Sequence, residues 1–200
     1  MFPAFLESDR PTFERLTPRN IDVRELYDVF GSSNPDTEEV FRYVDFGPHR
    51  TLKETFDFVV HAEEQWDEGE GAKYAVRPKS SETNGGAIAG FAGVYQDWER
   101  RFATLGIVLD RQFWGNGYAR ERAELFVELV FDSLDLDVVA VKIIDGNTRS
   151  KAAVETYVEK FGRQYDGLLR NWIAVGGEVV DCHRYTIRRK QYEESKAHGI

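Results

Sequence analysis

Val108-Leu109-Asp110-Arg111-Gln112-Phe113-Trp114-Gly115-Asn116-Gly117-Tyr118-Ala119 is the stretch on which the reading of this chain turns. Apolar strand residues end at Leu109, two glycines follow in a tight turn, and helical spacing begins at Tyr118. A helix start leaves about four backbone N–H groups without partners and gathers roughly half a positive charge. Glycines there let a diphosphate reach the main chain with no Cβ in the way. The stretch is therefore a candidate anion cradle, the plain alternative being that Gly115 and Gly117 only shape a turn. Two familiar phosphate binders fail on specific residues. A Walker loop needs Lys and then Ser or Thr after its second glycine, where Tyr118-Ala119 stand. A dinucleotide-binding fold needs a third glycine where Arg120 stands, and it does not suit an antiparallel sheet.

Outward from this turn the pattern is regular. Towards the C-terminus, Ala119, Ala123, Phe126 and Val130 recur at helical spacing and predict an amphipathic helix over 118–134. Residues 138–144 are nearly all β-branched, as in a central strand covered on both faces. A helix over 150–161 and strands over 164–174 and 179–188, parted by Gly176-Gly177, complete this half. Towards the N-terminus, 72–77, 87–95 and 101–109 read as strands joined by short turns, hence an antiparallel meander. The polar loop 79–86 lies within it. Two helices, 22–30 and 51–68, precede the sheet, the second with Phe56, Val59, Val60 and Trp66 on a shared face. The fold class is thus α+β: one domain spanning 1–200, its core about 10–188, with a polar tail over 189–200 expected to fray.

Composition narrows the function. In 200 residues, 42% are hydrophobic and 30% charged, enough to bury a core and solvate a surface. A net charge of −9 works against general binding to nucleic acid or anionic membranes. Cys182 is the only cysteine, which excludes an intrachain disulfide and fits a reducing, cytoplasmic setting. No apolar run reaches the roughly 20 residues of a membrane span. His49, His61, His183 and His198 lack ligand spacing, so no metal is expected. Neighbours on a strand point to opposite faces, so Cys182 and His183 make no thiol–imidazole pair. Only 8 of the 26 basic residues are lysine, an acid-rich bias like that of proteins adapted to high salt.

Gln112-Phe113-Trp114-Gly115-Asn116-Gly117 resembles the coenzyme A signature of the GNAT acetyltransferase superfamily, Gln/Arg-x-x-Gly-x-Gly/Ala. With Asn147-x-x-Ser150 and Gly167-Leu168-Leu169-Arg170 added, the chain is similar to the ribosomal-protein N-terminal acetyltransferase branch from about Gly90 to Ile187. That resemblance implies a mixed, mostly antiparallel sheet flanked by helices, with strands that splay at the coenzyme site. It implies acetyl-CoA as cosubstrate, its diphosphate cradled by Gln112, Gly115, Asn116, Gly117, Tyr118 and Ala119, and its pantetheine arm paired with Ile107, Val108 and Leu109. Asn147 matches the family asparagine near the sulfur end, though it suits a helix cap equally. Ser150 matches the position that protonates the departing thiolate, and Tyr157 is the other candidate acid.

Two departures mark this chain. The stretch from Asn147 to Gly162 is about four residues longer than usual in the branch, close to one helical turn. A glutamate common in relatives just before the glycine of the meander's last strand is absent, Thr104-Leu105-Gly106 standing there. A water relayed to Asp97, Glu99 or Asp181 is an alternative base. The expected reaction is direct N-acetylation of a primary amine, either a protein N-terminus or a small amine such as an antibiotic. The chain is expected to act as a monomer or homodimer. A coenzyme-binding module without catalysis is the competing class, and an open groove between helix 51–68 and Trp172 would favour a peptide.

Overall fold

The computed structural model describes residues 1–162 and 164–198. Strands β1 (Phe5–Glu7) and β2 (Pro11–Arg15) form a hairpin at one edge of an eight-stranded sheet. It continues through β3 (Gly71–Pro78), β4 (Gly90–Asp97), β5 (Phe102–Leu109) and β6 (Val138–Ile144). Beyond β6, the last hairpin, β7 (Gln164–Val175) and β8 (Glu178–Arg188), inserts with β8 inward and β7 at the edge. Every pairing is antiparallel except β5 with β6.

Helices cover both faces. On one lie α1 (Val23–Phe30), α2 (Thr37–Phe41) and α3 (Leu52–Glu68), over a core of Leu26, Phe30, Val59, Ala75 and Phe91. On the other lie α4 (Tyr118–Glu128) and α5 (Thr148–Lys160), over Tyr74, Val94, Phe126, Val141 and Tyr185. Local chemistry sets the ends: the Asp22 side chain accepts from Arg24 N–H, Thr51 accepts from Glu54 N–H, and α3 stops at Gly69 with φ 73°.

Several expectations need correction. The N-terminal hairpin and α2 were not legible; β1 has three residues and β2 alternates only over Pro11–Glu14, too short a run to read, and β2 is held by pairing with β3 and β1 by pairing with β2. Phe56 is 46% exposed, because the buried stripe of α3 is Thr55, Val59 and Ala62 and the adjacent position is rotated about 100° from it. Helix 118–134 divides: α4 ends at Glu128 and a π-helical turn, Leu129–Ser133, follows. The polar tail does not fray but forms α6 (Arg189–Ala197), pinned by Tyr192. That ring stacks on Phe131 at 5.0 Å, and its hydroxyl donates to Asp132 at 2.7 Å. Among the described residues, no helix is long and apolar enough to cross a membrane, and no group of three or more His, Cys, Asp or Glu is placed to hold a metal ion.

Candidate active site

The parallel ladder of β5 and β6 is short. It pairs Phe102, Ala103 and Thr104 with Val138, Val139 and Ala140 and then stops, although β5 runs on to Leu109 and β6 to Ile144. The two strands part there, and the β6-facing edge of Ile107, Val108 and Leu109 has no strand partner among the described residues while its other edge stays paired with β4. The opening leads from β5 directly to the start of α4.

The turn between them is braced by its own side chains. Asp110, 3% exposed, accepts from Gln112 N–H at 3.0 Å and from Asn34 Nδ2 at 3.0 Å. Trp114 donates its indole N–H to the Leu109 carbonyl at 2.9 Å, and Phe113 is buried. Gly115 and Gly117 have φ of 82° and 80°, left-handed values that disfavour any residue with a Cβ. No side chain caps α4, and the N–H groups of Tyr118 and Ala119 find no acceptor among the described residues. A Cβ at Gly115 would meet only open space, so the main chain there is approachable. Gln112, whose amide oxygen accepts from Asn84 at 2.9 Å, lies at the rim. These features fit a diphosphate: orphan amide donors, a helix dipole and room at the backbone.

A cation that sequence reasoning missed lies over this turn. Arg10, in the β1–β2 loop, covers Gly117 so closely that a Cβ there would collide with the guanidinium. Glu121 of α4 holds it, accepting from both the Arg10 backbone N–H at 2.9 Å and the side chain. The partners are 111 residues apart, and no local sequence signal could have joined them.

The start of α5 adjoins the turn through Arg149, whose guanidinium lies 3.9 Å from the Trp114 ring centroid. Asn147 caps α5 by accepting from Ser150 N–H at 3.1 Å, and half-buried Ser150 lies one turn into the helix. Tyr157 is placed differently: it is 1% exposed in the core, beside the buried Arg122 guanidinium. The phenol oxygen and the Arg122 Nε and Nη1 find no well-aligned partner among the described residues, and burial pushes the phenol up to about 12. Asp97 and Asp181 are engaged locally, accepting from Arg100 N–H at 2.9 Å and Asn171 N–H at 2.8 Å.

On the opposite face of the sheet, a cavity of about 700 Å³ lies between α3, the α2–α3 loop, β3 and β4. Its walls include Phe46, Phe58, His49 and Tyr95, and Lys73 lies among them. Tyr95 lies across glycines: a Cβ on Gly93 would come 2.7 Å from its hydroxyl, and one on Gly106 would lie 3.6 Å from its ring. Gly106 pairs with Gly93 and Thr104 with Tyr95, so Thr104 and Gly106 face this side, while Leu105 between them packs with Val94 in the core under α4 and α5. The loop that walls the cavity also reaches the splay, through a hydrogen bond from the Tyr43 hydroxyl to the Gly146 carbonyl at 3.1 Å.

Comparison with known proteins agrees with this geometry. Residues 12–157 match the acetyltransferase (GNAT) domain family. An uncharacterized N-acetyltransferase, p20 of Bacillus licheniformis, is 26% identical over 180 residues, 90% of this chain and 96% of its own. YdaF of Bacillus subtilis (strain 168), whose name proposes ribosomal N-acetylation, is 25% identical over 112 residues, 56% of this chain and 59% of its own. Among solved structures, the microcin C7 self-immunity acetyltransferase MccE, in complex with acetyl-CoA and AMP, superposes with a TM-score of 0.79 at 17% identity, over 94% of this chain and 97% of its own. A GCN5-related N-acetyltransferase from Brucella melitensis gives 0.77 at 22% identity, over 96% and 82%. A strand pair that parts beside an uncapped, glycine-turned helix start, in a chain matched to the GNAT domain over most of its length, admits one conclusion: the chain belongs to the GNAT acetyltransferases and is an acetyl-CoA-dependent acyltransferase.

Proposed function

We propose that the chain transfers acetyl from acetyl-CoA directly to the primary amine of a small acceptor that enters through the cavity between α3, the α2–α3 loop and β4. The observation that carries this reading is the β5–β6 ladder ending at Thr104, which leaves a backbone edge open next to the start of α4, in the sheet whose other face carries that cavity. A volume of about 700 Å³ suits a small molecule, as pockets for such ligands run from about 300 to 1,000 Å³.

In this reading the free N–H groups of Tyr118 and Ala119, with Gly115 giving access, hold the diphosphate, and Arg10 over Gly117 adds a positive charge. Gln112 and Asn116 border the cradle, and the open edge of Ile107, Val108 and Leu109 receives the amide-bearing arm. Acetyl-CoA supplies a thioester, an acyl group already activated towards an amine. The unpaired strand N–H groups beyond Thr104 are placed to donate to negative charge developing on a carbonyl oxygen. As the C–N bond forms and the C–S bond breaks, Ser150, held near the turn by the Asn147 cap and the Arg149–Trp114 contact, gives its proton to the departing thiolate and takes back the one that the acetylated amine releases. Tyr157, with its phenol sunk beside Arg122, serves packing instead.

The test is an acceptor panel of peptides and small amines. Free thiol release should coincide with a gain of one acetyl by mass spectrometry on a small amine. Transfer confined to long peptides would refute the small-acceptor reading.

A further inference from the structure

Lys73 is the chemical anomaly of this face. It stands alone as a charge in Ala72-Lys73-Tyr74-Ala75-Val76, the interior of a strand buried on both sides, and it is 7% exposed. Buried ammonium groups are ordinarily matched by a carboxylate. Here Nζ donates to the Gln65 side-chain oxygen and lies over the rings of Tyr95 at 5.1 Å and Phe58 at 5.8 Å, with no ion pair among the described residues. The other charges lining the cavity are accounted for. Glu54 accepts from the Arg50 backbone N–H at 2.7 Å and its Nε at 3.0 Å, and Asp45 is exposed at the rim. His49 meets the Thr55 hydroxyl at 2.9 Å, and burial lowers its pKa, keeping it neutral near pH 7. Burial draws Lys73 down to about 8, so at neutral pH the ammonium remains charged and uncompensated.

We propose that Lys73 is a specificity-determining residue that receives a carboxylate carried by the acceptor, so that the cavity selects ω-amino carboxylates over amines without an acidic group. This rests on the reading of the cavity as the acceptor's entry. Register supports it: Lys73 pairs with Gly93, and Gly93 with Gly106, so the Lys73 backbone is two strands, about 10 Å, from the edge where the ladder opens, and its side chain lines the cavity. The aromatic faces that would otherwise attract a cationic ligand already hold the chain's own ammonium.

The test uses glutarate, a dicarboxylate with no amine, titrated calorimetrically into the CoA-bound full chain, with neutral glutaramide beside it. Glutarate should bind at least tenfold more tightly than glutaramide. Lys73→Met should remove that preference and Lys73→Arg restore most of it. In transfer assays, the kcat/KM ratio of 5-aminovalerate to its amide should fall from tenfold or more towards one in Lys73→Met. Equal binding of glutarate and glutaramide by the unmodified chain overturns the proposal without any variant having to fold. So does a preference that survives Lys73→Met. If glutarate binds through Lys73 yet no amine is acetylated, the assignment of Lys73 stands and the proposed reaction falls.

Discussion

Replacing Lys73 by methionine should make the protein more stable, and the structure gives the size. Burial lowers this ammonium from its ordinary 10.5 to about 8. At about 1.4 kcal/mol per pH unit, holding the proton inside costs the folded state about 3 kcal/mol at pH 7. Methionine matches the stem, removes the charge and sets Gln65 free to turn to water. Against the gain stand a lost hydrogen bond, about 1 kcal/mol, and the contacts with Tyr95 and Phe58, about 0.5–1 kcal/mol together. The net is about 1–2 kcal/mol in favour of Lys73→Met, or roughly 3–6 °C in Tm for a chain of this size. The sign with pH follows from proton counting. Below about pH 8 both folded and unfolded chains hold the proton, and the full cost stands. Between about 8 and 10.5 the folded chain releases it first, so wild-type stability rises with pH relative to the variant. Urea unfolding of both proteins at pH 7, 9 and 10 reads this directly: the gap should be widest at pH 7 and close by pH 10. A variant less stable at pH 7, with a gap that ignores pH, would refute the argument that Lys73 is a desolvated, uncompensated charge.

At the cradle, Gly117→Val forces a β-branched residue to φ 80° and drives its side chain into Arg10. Its CoA affinity should fall at least 100-fold by calorimetry, and unchanged binding would disprove the cradle. Arg10→Met should weaken CoA about 3–10-fold, more at low salt than at high, because a partly exposed charge is screened. For Ser150→Ala we expect kcat to drop about 100-fold with CoA affinity retained, as measured by thiol release. Tyr157→Phe removes a buried hydroxyl with no well-aligned partner, so kcat should hold and Tm stay level or rise; a 100-fold loss of kcat would make the phenol the acid.

Periodicity revealed the elements that carry their own signal. The β-branched run of β6, the spacing of α4 and α5, and the Gly176-Gly177 turn sit where the sequence puts them. The hairpin β1–β2 escaped because a three-residue and a five-residue strand offer no period to read; their register comes from β3. α6 escaped because one aromatic, Tyr192, anchors a helix that is otherwise polar. At the site, the glycines and Asn147–Ser150 were visible because a turn and a cap demand particular residues locally. Arg10 was not, since a contact spanning more than a hundred residues leaves no trace in spacing. Lys73 had a signal in principle, a lone ammonium inside an apolar strand, yet its uncompensated charge emerges only once three-dimensional neighbours are known.

The tie between Arg10 and Glu121 joins the opening hairpin to the start of α4, the helix proposed to hold the coenzyme, so that the hairpin is more than a decoration on the sheet's margin. If α4 holds the coenzyme as proposed, fusion tags, point changes or proteolytic clipping within the first ten residues should act at a distance on its retention. Preparations that differ only at that end should differ in how readily they lose bound coenzyme on dialysis.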